Sequence, residues 1–441
     1  VTQNELASRV GQNILEQGGN AIDATVAIGF ALAVTLPRAG NLGGSGFMLI
    51  HMEQAQETVA LDFRSIAPSA ARLEDFIDED GSILWDDLTF GVRAPAVPGT
   101  VAGLYHAWQK FGSLSWPLLL APAINLAKEG IAVSEDLAYA LAEAMPIMSQ
   151  YPSSIVAYAR DADNSYLAGE ILHQPDLAWS LERISEQGAN ALYSGDIAEK
   201  IIDFMDRSGG YISSQDLQNY QVKEREPIAT NYRQHKVVTM PPSSVGGLAL
   251  LQMLNVLKQF DVSRLEPGSA RSLHLLAEVM KRVNANRRQG IGDTDFVSVP
   301  IKGILSEELA KEIAASIDLE VALPVSVIKP IDANPYDSRE TTHYSVVDDF
   351  GNAVSTSYTL GYSFGSGLVV PGTGILLDNQ MRNFAHREPG HANEMKPGKR
   401  PVSTMTPTLV FDVNDKVKIV TGTPGGSRIH NVIMQLLVNL I

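Results

Sequence analysis

The texture of the chain changes once, near residue 330, and that change constrains the fold more than any other feature. Ahead of it most segments carry helical periodicity; behind it lie two β-hairpin signals. Residues 341–347 and 353–360 are β-rich and flank the turn residues 348–352. Residues 408–413 and 417–421 flank Asn414-Asp415-Lys416 in the same way. Further strands are expected at 47–50, 58–63 and 237–240. Helices are expected over 5–36 (split at Gly18-Gly19-Asn20), 98–110, 116–190, 248–260 and 270–322, while 70–92 is acidic and loop-like. The segment 21–34 is apolar on every side and so belongs inside, with Asp23 in its first turn where the helix dipole favours a carboxylate. A last helix after Gly425-Gly426 puts Ile429, Ile433, Leu436, Leu437 and Leu440 on its apolar side. This layout is α+β: sheets with helices packed on them. Residues 328–340, polar, Pro-containing and aperiodic, read as an exposed loop.

Composition removes several function classes. The net charge is 34 − 50 = −16, which repels phosphate backbones and argues against a nucleic-acid partner. The longest mostly apolar run, 24–34, is too short to cross a membrane, which takes about 20 residues. With no Cys there is no disulfide, thiolate metal site or Cys nucleophile. The nine His include no pair at metal-ligand spacing, so no metal is expected. The Gly-rich stretch 40–47 leads into a strand rather than a helix, so it does not read as a phosphate or dinucleotide loop, and no cofactor is expected.

The remaining nucleophiles are Ser, Thr, Lys and carboxylates, and no G-x-S-x-G elbow is present. A Thr can serve as its own base when its backbone nitrogen is a free amine. Thr341, at the head of a β-segment behind the polar loop ending at Glu340, could become such a residue if the Glu340–Thr341 peptide were cut; an ordinary strand start is the alternative. Gly425-Gly426, between a strand and a helix, could turn N–H groups towards an anion, or form a plain turn.

The motifs resolve these alternatives. GGNAIDATVAIGFALAVTLPRAGNLGGSGFMLI (18–50), LDFRSIAP (61–68), VPGTVAGL (97–104), MPPSSVGGLALLQMLNVL (240–257), TTHYSVVDDFGNAVSTSYTL (341–360), FGSGLVVPGTGILLDNQM (364–381), KRPVSTMTPT (399–408) and GTPGGSR (422–428) occur in order along the chain. Together they resemble the γ-glutamyltransferase (glutathione hydrolase) family of N-terminal nucleophile enzymes and its cephalosporin-acylase relatives. The resemblance implies an αββα sandwich, two stacked antiparallel sheets flanked by helices. It implies a proenzyme that cuts itself at Glu340–Thr341 into a large subunit, 1–340, and a small subunit, 341–441, intertwined as one domain. Thr341 is then the nucleophile and its new amine the base. Thr359 matches the Thr that hydrogen-bonds the nucleophile, and Gly425 and Gly426 match the oxyanion hole. Arg64 matches the clamp on the donor's α-carboxylate, Ser403 and Thr404 the hydroxyl pair at that carboxylate, and Gln380 a neighbouring form the family uses. The implied partners are a γ-glutamyl or glutaryl amide as acyl donor and water or an amine as acceptor. A homo-oligomer and the compartment are left open.

Three departures from the family pattern bear on specificity. Asn383 stands where transferases carry an Asp facing the donor's ammonium, and Gly361 where many carry an Asn. Losing that carboxylate removes a charge-assisted hydrogen bond of about 1.5–3 kcal/mol. A weakened γ-glutamyl preference and a relative gain for acyl groups without the amine, such as glutaryl, are expected, as in the acylase branch. The stretch from Phe384 to Lys399 is short where many members carry a lid, which implies an open cleft and hydrolysis over transfer. Members of the family also continue beyond the equivalent of Ile441 and begin slightly earlier, so terminal segments are expected to be missing from this sequence. Two rival functions are a non-catalytic, unprocessed binding protein and a transpeptidase acting on γ-linked glutamate polymers.

Overall fold

The computed structural model describes residues 1–286, 290–328, 341–386 and 390–441. Two antiparallel sheets form the centre. The first runs β3 (Lys223–Arg225), β2 (Glu57–Phe63), β1 (Ser45–Met52), β7 (Ala353–Thr359), β6 (Thr342–Val347). The second runs β9 (Val417–Thr421), β8 (Thr408–Phe411), β5 (His235–Thr239), β4 (Ile228–Tyr232).

Alternation along β1 creates the layers, because successive side chains of a strand face opposite ways. Met48 and Ile50 join a core with α1 (Ala21–Thr35) and α2 (Thr100–Phe111). Phe47 and Leu49 point the other way, into a core shared with Val237, Val238, Leu409 and Val410 of the second sheet. That core continues to α3 (Val245–Leu257) and α4 (Ile429–Leu440) on the far side. The order is helix, sheet, sheet, helix, so the fold is the αββα sandwich of the N-terminal nucleophile class. His51 of β1 meets Phe411 of β8 edge to face at 4.9 Å across the sheet interface.

Every residue of α1 is buried, as its all-round apolarity requires. Its start is set by a capping box: Asn20 accepts from the Ile22 and Asp23 N–H groups, and Asp23 accepts from the Asn20 N–H at 3.0 Å. Elsewhere the boundaries shift. The acidic stretch 70–92 is not all loop: it holds a 3-10 turn at Leu73–Phe76 and a short helix at Trp85–Thr89, with Phe76 and Leu88 buried. The helical stretch 116–190 is interrupted by a two-stranded ribbon, Ile131–Ala132 with Ile171–Leu172. Strands β3 and β4 were not anticipated; both are short, and Glu226-Pro227 separates them. Most of the 328–340 loop expectation, and Glu340 with it, lies outside the described residues.

Candidate active site

The β6–β7 hairpin pairs Thr342 with Tyr358. One step further along the same register, Thr341 lies opposite Thr359, and their hydroxyls are 3.5 Å apart. Thr359 Oγ1 also accepts the Gly361 N–H at 2.9 Å. Thr359 pairs in turn with Ser45, the first residue of β1. Ser45 Oγ accepts from Arg64 Nη1 at 3.2 Å. Adjacent strands therefore carry a continuous line from Thr341 to the guanidinium of Arg64.

Arg64 leaves the end of β2 fully buried. Its Nη2 donates to Gln380 Oε1 at 2.7 Å and to the Pro401 carbonyl at 3.5 Å. Burial lowers its pKa to about 10, partly offset by the carboxylates of Asp378 and Asp62. Gln380 Oε1 accepts a second hydrogen bond from Asn383 Nδ2 at 2.6 Å. Among the described residues, two buried donors, Arg64 Nε and Gln380 Nε2, have no hydrogen-bond partner. A pocket with its acceptor occupied and its donors vacant suits an incoming carboxylate, because a buried donor left unmade is costly. Gly361, at φ +99°, lies against this corner: a Cβ there would come within 2.0 Å of Asn379 Oδ1 and 3.1 Å of Gln380 Nε2. Any side chain at 361 therefore needs the corner to move.

The β9–α4 loop supplies the glycine pair. Gly425 sits at φ +131° and Gly426 at φ +56°, conformations that disfavour a side chain. Nothing lies within 4 Å of a Cβ at Gly425, so its backbone conformation rather than crowding calls for glycine. Gly426 O accepts from Thr404 Oγ1 at 2.8 Å and Gly425 O accepts from the Arg428 N–H at 3.2 Å, which fixes both carbonyls. Among the described residues, neither glycine N–H has an acceptor. The same loop passes over β6: a Cβ on Gly422 would fall 2.3 Å from His343 Nδ1. Ser403 Oγ accepts the Met405 N–H at 3.1 Å, and its N–H donates to the Ser243 carbonyl at 3.1 Å, so the Ser403–Thr404 pair is braced against the start of α3.

Among the described residues, the expected open cleft is not found at Thr341. In the continuous chain Thr341 is 4% exposed and Arg64 0%. Within the short stretch, Asn393 donates to the Asn383 carbonyl at 2.7 Å and accepts from the Val402 N–H at 3.1 Å.

Sequence reasoning missed three buried groups. His343 is held between Ser357 Oγ (2.9 Å) and Ser345 Oγ (3.0 Å), and burial lowers its pKa to about 3, so it stays neutral. Asp62 accepts the Arg64 N–H at 3.1 Å and pairs with Arg225 Nε at 2.7 Å and Arg400 Nε at 3.4 Å. Asp378 is pushed up to about 7 by burial. The available signal for Asp62 was its i, i+2 spacing from Arg64 at a strand end; for the others there was none. Among the described residues there is no cluster of three or more His, Asp or Glu able to hold a metal, and no helix long and apolar enough to cross a membrane.

Known proteins similar to this chain agree with one another. The gamma-glutamyltranspeptidase family profile matches residues 7–441. The chain is 42% identical over 445 residues to the glutathione hydrolase proenzyme of Escherichia coli (strain K12), covering 99% of this chain and 76% of that one. A cephalosporin acylase from Bacillus halodurans superposes with a TM-score of 0.89 at 30% identity, over 99% of this chain and 79% of its own. A Helicobacter pylori gamma-glutamyltranspeptidase chain superposes with a TM-score of 0.73 at 41% identity, over 76% of this chain and 96% of its own. With a match along nearly its whole length and the same sandwich beneath it, this chain belongs to the gamma-glutamyltranspeptidase family and is an enzyme of that family.

Proposed function

We propose that the protein is a self-cleaving threonine amidohydrolase that removes γ-glutamyl or glutaryl-type acyl groups from amides. The Glu340–Thr341 peptide is cut, leaving residues 1–340 as the large subunit and 341–441 as the small one. The Thr341 amine, with a reference pKa of about 8, then takes the hydroxyl proton. Oγ1 attacks the amide carbon, the oxyanion accepts from the Gly425 and Gly426 N–H groups, and the leaving amine departs with a proton. Water, or less often an amine, attacks the resulting ester and frees Thr341. Uncut, the nitrogen is an amide and the hydroxyl has no base.

The observation that carries this reading is the line from Thr341 through Thr359 and Ser45 to Arg64. Arg64 folds back onto β1, two strand spacings, or about 10 Å, from β6. An extended five-carbon diacid amide spans such a gap once attack distance and a hydrogen bond are added. Support for the cut comes from the Escherichia coli relative, which is named a proenzyme. The Escherichia coli relative, named a glutathione hydrolase proenzyme, and the Bacillus halodurans acylase bracket the two donor types.

Asn383 tilts the choice towards donors without an amine. It offers no formal negative charge to an ammonium, and its Nδ2 is spent on Gln380. The test is hydrolysis of matched γ-glutamyl and glutaryl anilides. We expect turnover of both through a Thr341 ester visible by mass spectrometry, with glutaryl favoured. A large γ-glutamyl preference defeats the specificity reading, and turnover without the ester defeats the mechanism.

A further inference from the structure

We propose that Asp378 is a positioning residue that sets the acyl-carboxylate pocket by holding Arg64 and Gln380 in one frame. The proposal rests on the reading of Arg64 and Gln380 as the donor's carboxylate contacts and adds a residue that touches neither donor nor nucleophile. Asp378 is fully buried and accepts three hydrogen bonds, two from distant segments and one from Gln380 in its own turn. Its Oδ2 accepts the hydroxyl of Ser65, the residue directly after Arg64. Its Oδ1 accepts the Ala96 N–H at 2.9 Å and the Gln380 N–H at 3.2 Å.

These contacts close a loop around the pocket. Ala96 precedes Val97, which exchanges backbone hydrogen bonds with Ile66 at 3.3 and 2.9 Å, so the 64–66 and 96–97 segments move together. Gln380 begins the 3-10 turn Gln380–Asn383, and its side chain reaches back to Arg64 at 2.7 Å. Asp378 itself is pinned through its N–H to the Gly43 carbonyl at 3.1 Å, and Asn379 through its N–H to Leu360 at 3.0 Å. The circuit runs Asp378, Ser65, Arg64, Gln380 and back to Asp378. Arg64 and Ser65 lie ahead of the proposed cut and Asp378 and Gln380 behind it, so this carboxylate aligns the two halves of the pocket.

Geometry, not charge, is what such a role requires. Asn at 378 keeps an oxygen for the Ala96 and Gln380 N–H groups, and its amide can donate to Ser65; Ala keeps none of this. The experiment compares wild type, Asp378→Ala, Asp378→Asn and Ser65→Ala as purified, processed proteins. It measures kcat and KM for glutaryl anilide and the dissociation constant for free glutarate by calorimetry. For Asp378→Ala we expect KM and the glutarate constant to rise at least about tenfold while kcat falls by no more than about threefold. Asp378→Asn should restore both constants to within about threefold, and Ser65→Ala should weaken glutarate measurably.

Unchanged glutarate binding in Asp378→Ala overturns the proposal, as does an Asn variant as impaired as the Ala variant. If Asp378→Ala does not fold, Ser65→Ala decides: weaker glutarate binding upholds the proposal and wild-type binding overturns it. Glutarate binding needs no turnover, so an inactive or uncut wild type would count against the amidohydrolase reading alone.

Discussion

Asn383 and Asp378, five residues apart, show how one side chain can decide what a pocket accepts. Asn383 donates to Gln380 Oε1 and, in the proposed reading, offers no charge to a donor ammonium. Asn383→Asp would restore one, and Gln380 could turn its vacant Nε2 towards the new carboxylate. A gain of about 1.5–3 kcal/mol on the ammonium predicts a roughly 10- to 150-fold rise in kcat/KM for γ-glutamyl relative to glutaryl anilide. Asp378 yields a pH prediction. Burial raises its folded pKa to about 7 from an ordinary 3.8, so the folded state holds a proton that the unfolded chain has released. That contribution is present at low pH and is lost as pH rises from about 4 through about 7. Asp378→Asn does not titrate, so its melting temperature relative to wild type should climb between pH 5 and pH 8, as thermal melts would show. Thr341, Thr359, Gly425 and Gly426 were singled out because the family resemblance of their motifs assigns each a role. Asp378 and Asp62 were not, because their partners are distant in sequence: Ser65 is 313 residues from Asp378 along the chain, and Arg225 is 163 from Asp62.

At the scale of elements, the β6–β7 hairpin and the β9–α4 loop hold the proposed nucleophile and oxyanion groups. The hairpin was readable from its alternating β-rich segments and the turn between them. The stacking of the second sheet was not, since β4 and β9 expose polar residues on one side and neither pattern says which sheet it joins. The loop's glycines separate two effects. At Gly425 a methyl group meets no atom but clashes with φ +131°. Gly425→Ala should therefore fold and bind glutarate, while re-aiming the N–H and lowering kcat about 10²- to 10³-fold, the cost of one oxyanion donor. Circular dichroism and single-turnover rates check this together.

Across the whole molecule, the two proposed subunits are not separable bodies. β1 and β2 of the first are zipped to β7 and β6 of the second in one sheet, and β8 lies between β9 and β5 in the other. Arg400, behind the cut, is buried against Asp62 and hydrogen-bonds through its N–H to Asp293 at 2.9 Å, both ahead of it. Arg400→Ala leaves Asp62 with one cation fewer in a buried setting. Arg225 still pairs with Asp62 at 2.7 Å, so the loss should fall short of the roughly 3–5 kcal/mol of an uncompensated buried charge, and denaturant titration should register it. The central claim is that cutting one peptide creates the base. Its most direct measurement is the intact mass, under denaturing conditions, of active wild type beside Thr341→Ala. The account predicts two wild-type fragments, one ending at Glu340 and one beginning at Thr341, and a single uncut, inactive Thr341→Ala chain. A single unsplit wild-type mass in a preparation that turns over substrate would contradict it.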